Sequence, residues 1–485
     1  MSQTMNINST QKIIKNSLYL ILQPLILNVI SIFAVGYIAR YLGKAYYGQF
    51  IFAFSFIQLF APIYMGGLSI YIVRTLAESK KDISLFVGKV LSLRIILGLI
   101  AMLLTVSVIN FLGYSLNQKI LVYIAAVTLV SNAILMTCID IIQSFENMKY
   151  VSLINMISGL VLTALSVIAV FMGFGVKVLA MTYTFGNIVG MLLGLFLLNS
   201  KFVVPQLRFD LKFSKECLLN SFHFFYPNIA GMLGTKFCLV VLSKFSGDMS
   251  IGIYAAADNL VSRLMIVYDG TCSSFYPTMV STYKKSIEEA ISLFRKFFVY
   301  LLILGVPIAV GCSLLSKEII FLIYSSSYIK SVLVLQISIW SLTFMFQNAL
   351  MGYTIASIHK EKHSAMIRTV CASIAIILSF SIIPILKEIG LSISILASQF
   401  VLFIINVFLI QRFLTVCLIK RSHLLKVILV NGLLAFFILM IRGLNLFIVV
   451  LMAVSFYFIL IMYVKIFDLH EFVKNFYSRN LSKGK

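Results

Sequence analysis

Charged residues are scarce in this chain of 485 residues, at 11% of the total, whereas 61% of the residues are hydrophobic. A soluble protein of this length needs far more polar surface, so the composition excludes a soluble globular fold. Long polar segments are missing too, because every connection between apolar runs is short. No segment can therefore fold as a separate soluble catalytic domain, and any function resides within the membrane or at its surfaces.

Cysteine and histidine are few and dispersed. The seven cysteines form no Cys-x-x-Cys pair, so the sequence suggests neither a disulfide framework nor a metal knuckle. His359 and His363 are four residues apart, but they lie in a Lys- and Glu-rich loop where solvated side chains are expected. We therefore expect no metal site and no cofactor.

Apolar runs fill most of the chain, and each approaches or exceeds the ~20 residues that cross a ~30 Å hydrocarbon core. They predict an all-α polytopic membrane protein with about 14 transmembrane helices. The first run is too long for the core of a cleavable signal peptide. The fourteen runs are 17–39, 46–73, 90–112, 119–143, 151–173, 178–199, 218–243, 251–280, 297–315, 332–357, 366–386, 389–411, 424–441 and 444–464.

Positive charge is unevenly distributed between these runs, and the imbalance predicts the topology. With the N-terminus inside, the inner segments hold 27 of the 39 Lys and Arg and the outer loops hold nine; Arg94, Lys236 and Arg263 fall within spans. This excess predicts a multi-pass membrane protein with both termini in the cytoplasm. It also accounts for the net charge of +23 without a nucleic-acid partner.

The two halves of the sequence align in their features when shifted by 204 residues. Gly43 and Gly48 after span 1 match Gly247 and Gly252 after span 7. Such a repeat predicts two six-helix bundles related by a pseudo-two-fold axis along the membrane normal, around a central cavity. The predicted divisions are 1–199 for the N-terminal bundle, 200–217 for a cytoplasmic linker, 218–411 for the C-terminal bundle, and 412–485 for helices 13–14 and a cytoplasmic tail.

Three short motifs resemble those of a known family. The run Arg40–Gly48 (RYLGKAYYG) is similar to the RxLGxxxYG signature of bacterial polysaccharide-biosynthesis membrane proteins, the O-antigen and capsule repeat-unit flippases. Residues 252–258 (GIYAAAD) resemble their GxYxxA stretch. Residues 143–150 (QSFENMKY) resemble QGxExxxY, with Ser144 where glycine is usual. The resemblance covers the twelve core spans and implies the multidrug/oligosaccharidyl-lipid/polysaccharide exporter superfamily.

The resemblance implies a flippase rather than an enzyme. The expected activity is translocation of undecaprenyl-pyrophosphate-linked oligosaccharide repeat units across the inner membrane by alternating access, for O-antigen or capsule synthesis. The alternatives in the same superfamily are a multidrug–cation antiporter and a lipid II flippase. A membrane glycosyltransferase or polymerase is disfavoured because the sequence lacks a large outer loop carrying acids or arginines. The expected partners are the lipid-linked oligosaccharide and membrane lipid, with a polysaccharide polymerase and a chain-length regulator as further candidates.

Charged residues within spans give the candidate site, because a charge at mid-bilayer costs roughly 2.5–3.5 kcal/mol and needs a cavity or a partner. Arg94, near the inner end of span 3, is interpreted as an anchor that snorkels to the surface. Arg263 lies near the centre of span 8, too deep to snorkel. An arginine fork is a good ligand for pyrophosphate. The candidate substrate path is Arg40, Arg74, Lys236 and Arg263.

Carboxylates within or beside the spans are candidates for binding a coupling ion or proton. Asp140 lies near the inner end of span 4, where Lys149 is its expected partner. Asp258 and Asp269 are eleven residues apart in span 8 and share nearly one helix face. The expected ion-coupling candidates are Asp140, Asp258 and Asp269. Pro62 and the pair Gly66–Gly67 are expected to bend span 2.

Overall fold

The structure is a computed structural model. It describes the backbone of residues 2–78, 82–414 and 421–464. Within these ranges, the side chains of residues 2–22, 25, 77, 222–233, 267–274, 361 and 421–423 are not described. The described chain is helical almost throughout. This confirms the predicted class, an all-α polytopic membrane protein.

The fifteen α-helices of the described chain are numbered in chain order. They are α1 Ser2–Gln58, α2 Pro62–Met65, α3 Leu68–Glu78, α4 Ile83–Phe111, α5 Leu116–Ser144, α6 Met148–Phe171, α7 Val176–Lys201, α8 Leu211–Leu264, α9 Ile266–Lys285, α10 Ile287–Leu314, α11 Ser316–Tyr324, α12 Lys330–Ser357, α13 Glu361–Leu414, α14 Arg421–Ile441 and α15 Leu446–Val464.

Three helices are too long to cross the membrane once. Helices α1, α8 and α13 have 57, 54 and 54 residues, which is roughly 80 Å at 1.5 Å per residue. Each contains one residue with non-helical dihedral angles: Gly43 (φ 69°, ψ 170°), Gly247 (φ 75°, ψ −178°) and Lys387 (φ 51°, ψ −126°). Eleven described segments are long and apolar enough to span, and three of them contain these breaks. Counting those three as two crossings each gives fourteen, the predicted number.

The turns at Gly43 and Gly247 have nearly the same backbone angles and lie 204 residues apart. Both angles fall in a region that residues with a Cβ atom rarely adopt, so glycine is needed at each position. The membrane side that carries Gly43, Gly247 and Lys387 is called here the hairpin side. The opposite side, which carries the connection between α7 and α8, is called the linker side.

Spans 2 and 8 are interrupted at matching positions. Span 2 is divided into the end of α1, the single turn α2 and α3, with Gly66 (φ 35°) and Gly67 (φ 73°) between the last two. Span 8 is divided between α8 and α9 at Met265. The helices that restart after each break begin at Pro62 and Ile266, again 204 residues apart. The expected bend in span 2 is therefore present. Span 8 has an equivalent bend at Met265, which the sequence did not predict because no proline or glycine lies there.

At two glycines, the helical hairpin that turns at Gly43 contacts the one that turns at Gly247. A Cβ atom on Gly48 would lie 1.8 Å from the carbonyl oxygen of Asp248, and one on Gly252 would lie 2.0 Å from that of Lys44. The backbones that follow the two glycine turns therefore meet directly, with no space for a side chain at Gly48 or Gly252. This contact fixes the two halves of the molecule against each other on the hairpin side.

Helices α14 and α15 pack on α10. The Tyr457 hydroxyl donates a hydrogen bond to the carbonyl of Ile303 at 2.7 Å. The rings of Phe437 and Phe456 stack at 4.2 Å. The connection between the two final helices also forms an ion pair, Arg442 with Glu318 of α11 at 2.9 Å. Among the described residues, α14 and α15 contribute no side chain to the site described next.

Candidate functional site

Arg263 joins the two halves of the molecule at mid-depth. It lies in the last turn of α8, beside the break in span 8. Its Nη1 donates to the side-chain oxygen of Asn28 at 3.0 Å and to the hydroxyl of Ser31, both on span 1. The Ser31 hydroxyl in turn donates to the carbonyl of Asn28. The guanidinium is half-buried, and its two partners are neutral, so these contacts leave its positive charge uncompensated.

Three tyrosine hydroxyls interact with the charge of this arginine. They belong to Tyr47, Tyr183 and Tyr324. One turn earlier on α8, Asn259 donates to the Tyr47 hydroxyl at 2.9 Å. Tyr47 and Tyr324 are buried. The site thus presents a cation and several hydroxyl groups, which is a suitable lining for an anionic, hydroxyl-rich ligand.

Asp258 lies on the same helix but has different partners. The Tyr254 hydroxyl donates to its Oδ1 at 3.2 Å, and the charge of Lys236 acts on its carboxyl group. Asp258 is half-buried. Two of the predicted residues, Lys236 and Asp258, therefore interact through their charges. Neither of them is among the described hydrogen-bond partners of Arg263.

Asp140 pairs with Arg94 rather than with Lys149. Its Oδ2 lies 2.7 Å from Arg94 Nη2, and the exposed fractions of the two side chains are 6% and 0%. Arg94 Nη2 also donates to the Ser69 hydroxyl at 2.9 Å. The expectation that Arg94 snorkels to the surface is wrong, because its side chain points into the bundle, where a carboxylate compensates its charge.

Arg40 and Arg74 lie at opposite sides of the molecule. Arg40 on the hairpin side donates from Nε to the carbonyl of Ile323 at 2.9 Å and from Nη2 to those of Phe321 and Leu322. It thereby caps the C-terminus of α11. Arg74 on α3 is exposed and pairs with Glu78, one turn further along the helix, at 2.8 Å. The side chain of Asp269 lies outside the described residues.

Further contacts between the halves close the hairpin side. Gln49 donates to Asp248 Oδ2 at 2.9 Å, and Gln118 donates to its Oδ1. Lys244 donates to the carbonyl of Leu112 and lies 3.9 Å from the centroid of the Tyr114 ring. Together with the glycine contact and the cap by Arg40, they hold the two halves against each other on the hairpin side.

Sequence reasoning missed the partners of Arg263. Asn28 and Ser31 are polar residues three apart within an otherwise apolar run, so they share one helix face. That spacing was a usable signal for a polar stripe on span 1. The roles of Gln49, Gln118 and Asp248 had no such signal, because each lies in a connection or at a helix end where polar residues are common.

The profile of the family described as polysaccharide biosynthesis protein matches residues 13–283, more than half of the chain. The chain belongs to the polysaccharide biosynthesis protein family. A curated relative from Escherichia coli (strain K12), named as a candidate O-antigen transporter, is 22% identical over 372 residues, covering 75% of this chain and 88% of the relative. The resemblance inferred from the motifs is thereby confirmed.

Solved structures with a similar fold are transporters. The lipid II flippase MurJ in an inward closed conformation superposes with a TM-score of 0.74 at 16% identity, covering 92% of this chain and 98% of MurJ. A multidrug resistance MATE transporter of the MOP superfamily, in an inward-facing conformation, gives 0.65 at 15% identity over 80% and 94% of the two chains. The chain therefore has the MOP-superfamily transporter fold, and its relatives are transporters and flippases, not enzymes.

Proposed function

We propose that this protein is a flippase that moves undecaprenyl-pyrophosphate-linked oligosaccharide repeat units across the bacterial inner membrane. The proposal places the linker side in the cytoplasm, as the distribution of Lys and Arg predicts. Substrate made on the cytoplasmic face enters from the linker side, and the glycan is released at the hairpin side for assembly of O-antigen or capsule.

The observation that carries the proposal is the environment of Arg263. Its guanidinium is half-buried at mid-depth and its described hydrogen-bond partners, Asn28 and Ser31, are neutral. A pyrophosphate entering the membrane needs a cationic, polar path, and an arginine fork binds two phosphate oxygens at once. Neutral partners are readily exchanged for such an anion, because no ion pair has to be broken.

Alternating access follows from where these contacts lie. The described contacts hold the halves together on the hairpin side, so in this proposal the substrate reaches Arg263 from the linker side. In this proposal Arg74, whose ion pair with Glu78 is exposed and therefore weak, attracts the headgroup near the entrance. Arg40, which now caps α11, becomes available on the hairpin side after the halves separate there. When the pyrophosphate binds Arg263, it replaces the hydrogen bonds from Arg263 to Asn28 and Ser31 on span 1. This loosens the contact between the two halves at Arg263.

Asp258 is the residue that we propose for coupling to an ion or proton. It is half-buried in the membrane, and its contacts are the Tyr254 hydroxyl and the charge of Lys236. A carboxylate in such a position responds to protonation or to a bound cation. Asp140 is less suited to this role because Arg94 already compensates it. A polymerase and a chain-length regulator remain proposed partners that receive the exported unit.

A multidrug–cation antiporter is the alternative that the fold allows. Such a protein needs an acidic site for organic cations, whereas the central hydrogen-bonding charge here is Arg263. A cationic site would repel those substrates. Transport of a cationic dye, with no transport of lipid-linked pyrophosphate, would favour the antiporter.

Transport by purified protein in vesicles tests the proposal. The substrate is a fluorescent undecaprenyl-pyrophosphate oligosaccharide, and its exposure on the far leaflet is measured over time. Each hydrogen bond to a charged group contributes about 1.5–3 kcal/mol, so Arg263→Ala should slow transport about tenfold or more. Arg263→Lys should recover only part of the rate, because lysine keeps the charge but lacks the fork.

The matched control is Arg412→Ala, which removes an exposed arginine from the end of α13. It should leave the rate unchanged. Full transport by a folded Arg263→Ala protein would contradict the assignment of the site, and failure of the wild-type protein to move the lipid in either direction would contradict the proposed function.

A further inference from the structure

Residues 203–215, here called the linker strip, connect α7 to α8 and include the first helical turn of α8. The stretch 203–210 has no regular secondary structure, and Asp210 caps α8 by accepting a hydrogen bond from the backbone N–H of Phe213 at 3.1 Å. The sequence alone predicted only a cytoplasmic connection. The structure shows a segment with one attached face and one free face.

One face of the linker strip is fixed to the start of α4. The backbone N–H of Gln206 donates to the carbonyl of Ser84 at 3.1 Å, and the Ser84 hydroxyl donates to the carbonyl of Val204. Lys89 Nζ lies 2.7 Å from Asp210 Oδ2. Gly88 lies directly under Gln206, where a Cβ atom would be 1.7 Å from the carbonyl oxygen. The strip is therefore held in place and is not a loose tether.

The other face carries large apolar side chains alternating with cations. Four apolar side chains are exposed, by 64% for Val204, 66% for Leu207, 49% for Phe209 and 74% for Leu211. Leu207, Phe209 and Leu211 are spaced by two residues. The interleaved or adjacent cations are also exposed, and these are Arg208, Lys212 and Lys215.

The depth of the attachment places this free face at the edge of the bilayer. Helix α4 ends at Phe111 on the hairpin side. Since ~20 helical residues cross a ~30 Å hydrocarbon core, that core ends near residue 91 of α4. The residues that hold the strip, Ser84 to Lys89, are thus in the headgroup layer on the linker side.

Neither water nor hydrocarbon suits this surface. Four exposed apolar side chains are costly in water, and three cations are costly in hydrocarbon. The boundary between the two accommodates both: apolar groups enter the acyl region and cations meet lipid phosphates. We propose that the linker strip is a binding surface for anionic phospholipids of the leaflet on the linker side. The inference does not depend on the transported substrate.

A tryptophan probe in the full-length protein tests this. The chain has a single tryptophan, Trp340, so Trp340→Phe combined with Phe209→Trp leaves one indole, which lies in the strip. The protein is placed in nanodiscs of equimolar phosphatidylcholine and phosphatidylglycerol, with bromine on one lipid or the other, and without substrate. Brominated phosphatidylglycerol should quench the indole at position 209 more strongly than brominated phosphatidylcholine.

Charge-removal variants show whether the cations cause the preference. Each cation near an anionic surface strengthens binding severalfold, so Arg208→Gln/Lys212→Gln/Lys215→Gln should reduce the lipid preference about tenfold or more. The control Lys284→Gln/Lys285→Gln/Arg412→Gln removes the same charge from other helix ends on the linker side and should keep the preference. All six cations are exposed, so folding should be unaffected.

Three results would overturn the proposal. Equal quenching by the two lipids would mean an interfacial segment without lipid selectivity. Quenching of the indole at position 209 by aqueous iodide, and by neither lipid, would mean that the strip faces water. Loss of the preference in the control variant would mean that overall charge, not the linker strip, selects the lipid.

Discussion

Arg94 and Arg263 are both arginines within spans, and the regions around them differ in how the charge is held. Arg94 is fully buried inside one bundle and is compensated by Asp140 at 2.7 Å. Arg263 is half-buried between the halves of the molecule, and its hydrogen bonds to described residues go to Asn28 and Ser31. A compensated charge holds helices together and has little left to offer a ligand. A charge with neutral partners keeps its attraction for an anion, which is why the two arginines receive different assignments.

The largest expected effect comes from breaking the buried ion pair. Asp140→Ala leaves the Arg94 charge buried without its carboxylate, which costs about 3–5 kcal/mol. We expect a sharp fall in thermal stability and in the amount of folded protein. The double variant Arg94→Met/Asp140→Leu should restore stability, because it removes both charges and keeps the volume.

Transport by the double variant sharpens the comparison. If the pair is structural, the rate per folded molecule should be close to that of the wild type. A folded double variant without transport would instead assign Asp140 to ion coupling, as the sequence first suggested.

A smaller loss of stability is expected at Arg263. Arg263→Met removes its two described hydrogen bonds, and the described partners that it leaves behind, Asn28 and Ser31, are neutral, so we expect a cost of about 1–3 kcal/mol for the unsatisfied polar atoms. The protein should therefore accumulate and unfold at a higher temperature than Asp140→Ala, while transport falls. A stability loss equal to that of Asp140→Ala would show that Arg263 is also compensated and would remove the contrast between the two arginines.

The packing of the two halves against each other can be loosened at the contact between Gly48 and Asp248, away from Arg263. Gly48→Ala places a methyl group against the carbonyl of Asp248, and such overpacking costs about 1–3 kcal/mol. The hairpins should separate, and spin labels at the exposed positions Tyr46 and Met249 should report a longer, broader distance distribution. Gly311→Ala, where a Cβ atom meets open space, is the control. An unchanged distribution in Gly48→Ala would mean that the halves are not held together at this glycine.

The smallest effect concerns the half-buried ion pair between Lys89 and Asp210, which holds the linker strip against α4. The hydrogen bond from Lys89 lowers the pKa of Asp210. A carboxyl group whose pKa is lowered in the folded state stabilises it above the ordinary value of about 3.9, and this contribution is lost as the pH falls through the lowered value. Fluorescence of the single indole in the Trp340→Phe/Phe209→Trp protein should therefore be constant from neutral pH to about 5 and should change only below about 4. Asp210→Asn should abolish that acid transition, and a transition near neutral pH would assign it to another group.

The sequence determined the features that depend on distance along the chain. The lengths of the apolar runs predicted fourteen crossings, because hydrocarbon thickness fixes the length of a span. The offset of 204 residues predicted matching turns at Gly43 and Gly247, because their backbone angles require glycine wherever the turn occurs. Depth within span 8 singled out Arg263, since a central charge has no easy route to the surface.

Only the tertiary structure decided which residues become partners. Arg94 was expected to reach the surface, but its helix face turns toward Asp140, 46 residues further along the chain. Arg263 meets Asn28, 235 residues away, and Arg40 meets the end of α11. Helical periodicity gives the depth and face of a residue within one helix, but not which other helix packs against that face. That choice depends on the packing of all the helices together, through contacts such as the one between Gly48 and Asp248.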